Sequence, residues 1–397
     1  MAGRTNIYFD HNAGAAMRPQ AVELVRALTG VTGNPSSVHG AGRAARAHIE
    51  KARAQVALLA GVPASHVTFT SGASEANVTA LSPIWRKGRG EARFFRLLVG
   101  ASEHASVIAG GRFAKDAIEL LPVDGDGLVD ADHLARRLAE LSDEAAAREG
   151  ARILVSVMAA NNETGAVQPL ARIGEIVAAA GAILHVDAVQ AAGRVALDMA
   201  GWQADSIALS AHKIGGPQGA GALVVRNAGL KPAPLLTGGG QEHWNRAGTE
   251  NVAAIAGFGI AAELCAQEIN HWDEIRRLRD GFESGLRHIW SDTFIFSGGV
   301  ERLANTSCFA VPGVAAETAL IALDLEGIAC SSGSACSSGK VSVSHVLTAM
   351  GVEERLARCA LRVSFSPDAR AEEVEVFLAA WRRLSERMRG AGAGRAA

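Results

Sequence analysis

Five times along this chain, a short apolar run ends in a small polar cluster and gives way to a helical pattern. HVTFT runs into SGASEAN, FRLLVG into ASEHASV, RILVSVM into AANNETG, AILHV into DAVQAAG, and SIAL into SAHKIGG. The segments between them, such as residues 130–148 and 170–180, are rich in Ala, Leu and Arg at helical spacing. Strands alternating with helices predict an α/β fold whose large domain holds a mostly parallel sheet between helices. Ligands of such sheets bind beyond the carboxyl ends of the strands, where the polar clusters fall. Five clusters at equivalent positions point to one shared site. After residue 252 the pattern changes to helices, short strands and a Ser/Gly-rich segment. A large domain over residues 15–252 is therefore expected, with residues 1–14 and 253–397 forming a smaller α+β domain.

Composition narrows the partners. Hydrophobic residues make up 48% of the 397 and charged residues only 20%, which predicts a well-buried core rather than disorder. A formal net charge of -2 gives no electrostatic case for nucleic acid or a charged membrane surface. The opening MAGRTNIYFD lacks the apolar core of a secretory signal, and no apolar run reaches membrane-span length. The five cysteines are odd in number and lack CxxC spacing, so neither a disulfide framework nor a metal centre is expected. A reducing cytoplasm fits best.

The chemistry sits in two of the five clusters. Lys213 follows Ser210 and His212 at the mouth of an apolar strand, and Asp187 ends another. An amine able to form a Schiff base, with a carboxylate to hold a pyridinium nitrogen protonated, is what pyridoxal phosphate (PLP) chemistry requires. Ala73 and Ser74, at a strand-to-helix turn, and Ser210 and His212 are candidates for a phosphate cradle; taken alone, SGASEAN reads equally as a Ser-capped helix. His104 could stack on an aromatic cofactor and shuttle a proton, or be an ordinary core histidine. In NNETG (Asn161 to Gly165) an amide could meet cofactor or substrate carboxylate, or the stretch could simply make a turn. Gln190 could reach a ring oxygen or be an ordinary polar residue at the surface, and Arg362 could grip an α-carboxylate or be a strand-edge charge. Cys336, in SSGSACSSG, suits a nucleophile on a mobile loop. Cys330 follows an apolar run and is expected to be packed.

Taken in order, IYFDHNA, GNPSSVHGAGR, FTSGASEAN, SEHASV, NNETGAVQP, HVDAVQAAG, SAHKIGGPQGAGAL, GGGQE, RAGTENV and SSGSACSSG resemble the cysteine desulfurases of the NifS/IscS type, fold-type I PLP enzymes of the class V aminotransferase family. The resemblance runs nearly end to end. It implies that Lys213 holds PLP as a Schiff base, Asp187 meets the ring nitrogen, His104 stacks on the ring and Gln190 reaches the phenolic oxygen. Ser74, Ser210 and His212 would hold the phosphate, with Thr249 contributed by the other subunit of a homodimer. Asn34, Asn162 and Arg362 would surround the substrate carboxylate. L-cysteine would yield L-alanine, with its sulfur left as a persulfide on Cys336 for an iron–sulfur scaffold or another acceptor protein. Two stretches depart from the family pattern: NAGAA lacks its usual threonines, and GGGQEHW carries His243 and Trp244 where arginine and glycine are usual.

Two other readings compete. An aminotransferase or a selenocysteine lyase would keep the fold without needing the thiol of Cys336. A non-catalytic adaptor would be expected to have lost Lys213, Asp187 or Cys336, and all three are present.

Overall fold

The computed structural model describes residues 7–147, 151–332 and 343–393. The described chain opens with β1 (Ile7–Tyr8) and the helices α1 (Pro19–Thr29) and α2 (Gly40–Ala60). The strands β2 (Val67–Thr70), β3 (Ile84–Lys87), β4 (Gly90–Gly100), β5 (Ile118–Leu121), β6 (Arg152–Ser156), β7 (Ile183–Asp187), β8 (Ser206–Ser210), β9 (Gly221–Val225) and β10 (Leu230–Pro232) follow. Among the described residues these nine form the main sheet, in the order β10-β3-β4-β6-β7-β8-β9-β2 with β5 beside β4. Between them run α3 (Ala73–Ala80), α4 (Ala105–Ile108), α5 (Ala131–Ala147) and α6 (Leu170–Ala179).

The middle of this sheet, β5-β4-β6-β7-β8, is parallel, and the flanking pairings are antiparallel. Strands covered on both faces need apolar side chains pointing both ways. Accordingly ILHVD, SIALS and GALVV are buried at every residue. Two successive antiparallel pairings, β8 with β9 and β9 with β2, turn β2 back to the direction of β8. The carboxyl ends of β2, β4, β6, β7 and β8 therefore share one edge, and the five polar clusters meet there.

The chain continues through α7 (Gln241–Trp244), α8 (Val252–Gln267) and α9 (Trp272–Ile289). The helix α8 is apolar all round, and Ile255, Phe258, Ala261 and Cys265 lie in the core of the main sheet. It packs closely on α2: a Cβ on Gly259 would lie 2.5 Å from the Cα of Ala52, so only glycine permits this approach. Packing of the large body thus continues past Val252 to Ala266. Among the described residues, no single helix is long and apolar enough to cross a membrane.

The second body comprises β11 (Phe294–Ile295), β12 (Thr306–Ala310), α10 (Ala316–Leu325), β13 (Ile328–Ala329), β14 (Ser331–Ser332), α11 (His345–Ala349), α12 (Glu354–Ala357), β15 (Ala360–Ser364) and α13 (Ala371–Ala393). Its antiparallel sheet has the order β11-β12-β15-β14. Phe282, Phe309, Phe365, Phe377 and Trp381 pack edge-on or stacked beneath it, with ring centroids 5.0–6.5 Å apart. The N-terminal segment joins this body. Strand β1 pairs with β13, and Phe9 sits 5.2 Å from Phe365. Burying a phenylalanine stabilises by roughly 1.5–3 kcal/mol. That anchor brings Asp10 and Asn12 to the seam between the two bodies.

Candidate active site

The shared edge encloses a cavity of about 580 Å³. Ala73, Ser74, His104, Asn162 and Asp187 line it, as do Gln190, Ser210, His212, Lys213 and Arg362. Residues distant in sequence thus line one cavity. Asn34 and Thr249 are not among its lining and are exposed in this chain. The Asn34 side chain accepts instead from the Ser36 backbone N–H at 2.9 Å. Cys336 lies outside the described residues.

Lys213 leaves β8 through one helical turn, and its Nζ donates to the carbonyls of Asn12 (2.6 Å) and Ala13 (2.8 Å). Gln190 Nε2 donates to the same Asn12 carbonyl (3.0 Å), and its Oε1 accepts from Arg194 Nη1 (2.6 Å). Asp187 ends β7 with both oxygens occupied: Oδ1 accepts from the Val189 N–H (3.0 Å) and Oδ2 from Asn77 Nδ2 (2.7 Å).

His104 caps α4, its Nδ1 accepting from the Ser106 N–H at 3.1 Å. Burial lowers its pKa, opposed by Asp187 and reinforced by Lys213 and His345. A neutral imidazole accepting at Nδ1 carries its proton on Nε2. Glu103 beside it is wholly buried; desolvation, then the charge of Asp187, raises its carboxyl well above the usual range.

At the other end, the loop from Ser71 to Ala73 opens α3. A Cβ on Gly221 of β9 would lie 2.6 Å from Gly72, so glycine here lets the strand and the loop approach. Glu75 accepts from the Ser71 N–H (2.8 Å) and pairs with Arg246 (3.0 Å), which cancels an acidic charge beside the helix N-terminus. Ser210 Oγ and His212 Nδ1 lie 2.9 Å apart, and burial, then Lys213, lowers His212 to about 4, leaving it neutral.

Arg362 reaches the seam from β15. Its Nη2 donates to Asp10 Oδ1 (2.6 Å) and its Nη1 to the Asn162 carbonyl (2.9 Å). Its buried Nε has no hydrogen-bond partner among the described residues. Glu163 takes the Ser344 hydroxyl at 2.5 Å, and burial raises its pKa to about 7 against the opposing effects of that hydrogen bond and Arg362. A raised carboxyl contributes stability in full below its ordinary value of 4.5 and loses it as pH rises through about 7. Between about pH 4.5 and 8 the protein is therefore expected to lose on the order of 3 kcal/mol relative to Glu163→Gln. Urea unfolding of both proteins at the two pH values checks this; an unchanged difference would refute it.

Several residues of the site were not predicted. Asn77 stood within SGASEAN, one helical turn beyond Ala73, and that spacing was the available signal. Arg194 and Asn12 act through contacts that no local pattern announces.

The residue range 7–377 matches the model of the family described as aminotransferase class-V. The chain belongs to the class-V aminotransferase family. A cysteine desulfurase of Cereibacter sphaeroides is 40% identical to it over 94% of each chain. A cysteine desulfurase IscS of Dictyoglomus turgidum is 34% identical over 97% of this chain and 96% of its own. The X-ray structure of a NifS-like protein from Rickettsia africae superposes with a TM-score of 0.85 at 35% identity, covering 96% of this chain and 99% of that one. The family depends on PLP. The residues present fit that cofactor: a buried carboxylate with both oxygens oriented, a lysine across the cavity, and a neutral-histidine and helix N-terminal cradle.

Proposed function

We propose that this protein is a PLP-dependent cysteine desulfurase that converts L-cysteine to L-alanine and passes the sulfur onward as a persulfide of Cys336. The observation that carries this is the meeting of Lys213, Asp187, His104 and Arg362 around one cavity, in a chain whose full-length relatives are named cysteine desulfurase.

In this reading Asp187 holds the ring nitrogen and His104 lies against the ring. Gln190 meets the ring oxygen. Ala73, Ser74, Ser210 and His212 hold the phosphate. Bound there, PLP supplies an electron sink that allows an amino acid to ionise at Cα and release its β-substituent. Lys213 Nζ carries the proton at Cα. Arg362, whose buried Nε remains unsatisfied, binds the substrate carboxylate together with Asn162. His104 Nε2–H adjusts protonation at the substrate sulfur.

The other cysteines support the role of Cys336. Cys265 and Cys308 are buried, and desolvation raises both thiols. Burial pushes Cys330 up to about 12, and Cys359 is buried. A thiolate nucleophile needs the opposite environment. Described residues on either side of the Cys336 segment contact residues of or beside the site. Ser331 pairs with Arg362 in the sheet, and His345 Nε2 donates to the Glu103 carbonyl at 2.8 Å.

A cytoplasmic homodimer completes the reading, with Thr249 reaching the phosphate of the partner subunit and Asn34 joining the substrate site. An iron–sulfur scaffold or another sulfur-acceptor protein receives the sulfur. The purified protein is expected to release alanine and sulfide in equal amounts from L-cysteine with dithiothreitol. Alanine without sulfide would favour an aminotransferase, and no product at all would sink the desulfurase assignment.

A further inference from the structure

The amide of Asn77, on α3, joins two catalytic candidates that lie on different elements. Its Nδ2 donates to Asp187 Oδ2 (2.7 Å) and to Ser106 Oγ (3.0 Å), and Ser106 Oγ lies 2.8 Å from His104 Nδ1. Its Oδ1 faces His185 Nε2 at 3.0 Å, and His185 Nδ1 faces Ser206 Oγ at 2.8 Å. Asn77, His185 and Ser206 are fully buried.

The donor sense of this chain follows from its ends. Both Asp187 oxygens accept, so the Asn77 atom facing it is the NH₂ group. The amide oxygen then faces His185, which must donate through Nε2–H, leaving Nδ1 to accept from the Ser206 hydroxyl. Burial lowers His185 to about 3, so the ring stays neutral and keeps this one tautomer. His185 thereby prevents the amide from flipping.

We infer that Asn77 is the positioning residue that aims the Asp187 carboxylate at the cofactor ring, its amide held in register by His185 and Ser206. This rests on the reading that PLP occupies the cavity. Asp187 projects from a strand end and needs a fixed donor to point its charge into the cavity rather than along the sheet. A buried network of this kind works only while every member is satisfied.

Asn77→Asp separates positioning from mere packing. The side chain keeps nearly the same shape, but the introduced carboxyl group, once ionised, would oppose Asp187 as a second negative charge. While protonated, the introduced group would donate to Asp187 as the amide does. The elements packed on α3 are β2, β7, β8, β9 and α4, and their titratable groups are His185 and Asp187. On α3 itself Glu75 is paired with Arg246. Beyond these, Glu103 and His104 face Asp187, and Lys213 lies across the cavity.

The experiment measures how fast the PLP-loaded full chain loses its visible absorbance band on dilution. Asn77→Asp is expected to release PLP about tenfold faster than wild type at about pH 8 and to approach wild type near pH 6. Asn77→Leu should be faster at both pH values. Release from Asn77→Asp equal to wild type throughout, or faster by the same factor at both pH values, would overturn the inference. Should the Leu variant not fold, the Asp variant decides alone. A wild type that takes up no PLP would instead overturn the cofactor reading and this inference with it.

Discussion

Lys213→Ala is expected to lower turnover of L-cysteine on the order of 10⁴-fold while leaving the protein folded. In the proposed mechanism, the loss follows from removing both the amine that anchors the cofactor and the base that carries the Cα proton. Of the two carbonyls that Nζ meets, Asn12 keeps its bond from Gln190 Nε2, and the contact with Ala13 is at an exposed position. A change in stability within about 1 kcal/mol is therefore expected. The variant should still take up PLP through the Asp187 and phosphate contacts, but release it faster and without the absorbance of a lysine adduct. Added small primary amines should restore part of the activity, since the side chain leaves space for one. Near-normal turnover without added amine would remove Lys213 from the chemistry. A variant that melts far below wild type would show the lysine to be structural.

The elements that set the site were legible where the physics is local. A strand end followed by Ser, Gly, Asn or His carries its signal within ten residues, and Asp187, His104, Ser210 and Lys213 all occupy such ends. Long-range pairing carries no such signal. Asp10 meets Arg362 across 352 residues, and Asn12 meets Lys213 across 201. Both contacts depend on β1 joining β13 and on Phe9 entering the second aromatic core. The helix α8 illustrates a different limit. Its all-round apolar sequence announces burial but not which core it enters, so residue 252 read as a boundary whereas the packing runs on to Ala266. Asn77 was hidden for a third reason. A buried asparagine in a helix gains its meaning from the His185, Ser106 and Asp187 side chains around it, and these come from two other elements.

Cys336→Ser is expected to abolish sulfide release, a loss of at least about 10³-fold, while the cofactor remains bound. In the proposed reaction, the Cys336 thiolate attacks the substrate sulfur. A sulfur–sulfur bond forms as the carbon–sulfur bond of the substrate breaks, so L-cysteine plus the thiol becomes L-alanine plus the persulfide. A serine hydroxyl is almost wholly protonated at neutral pH and forms no stable bond to sulfur in this way. None of the four described cysteines offers a substitute. Cys265, Cys308 and Cys359 are buried, and Cys330 is pushed up to about 12 by desolvation, with Asp10 adding to that effect. The variant should keep the visible absorbance of the loaded wild type, because Lys213, Asp187 and the phosphate cradle are untouched. Mass spectrometry of the wild type after one equivalent of L-cysteine, without reductant, should find one added sulfur on the peptide carrying Cys336. Full sulfide release by Cys336→Ser would mean that sulfur leaves the substrate without a protein thiol, which is how a lyase works. Retained alanine production with sulfur found on Cys330 would move the acceptor to the other end of the same segment.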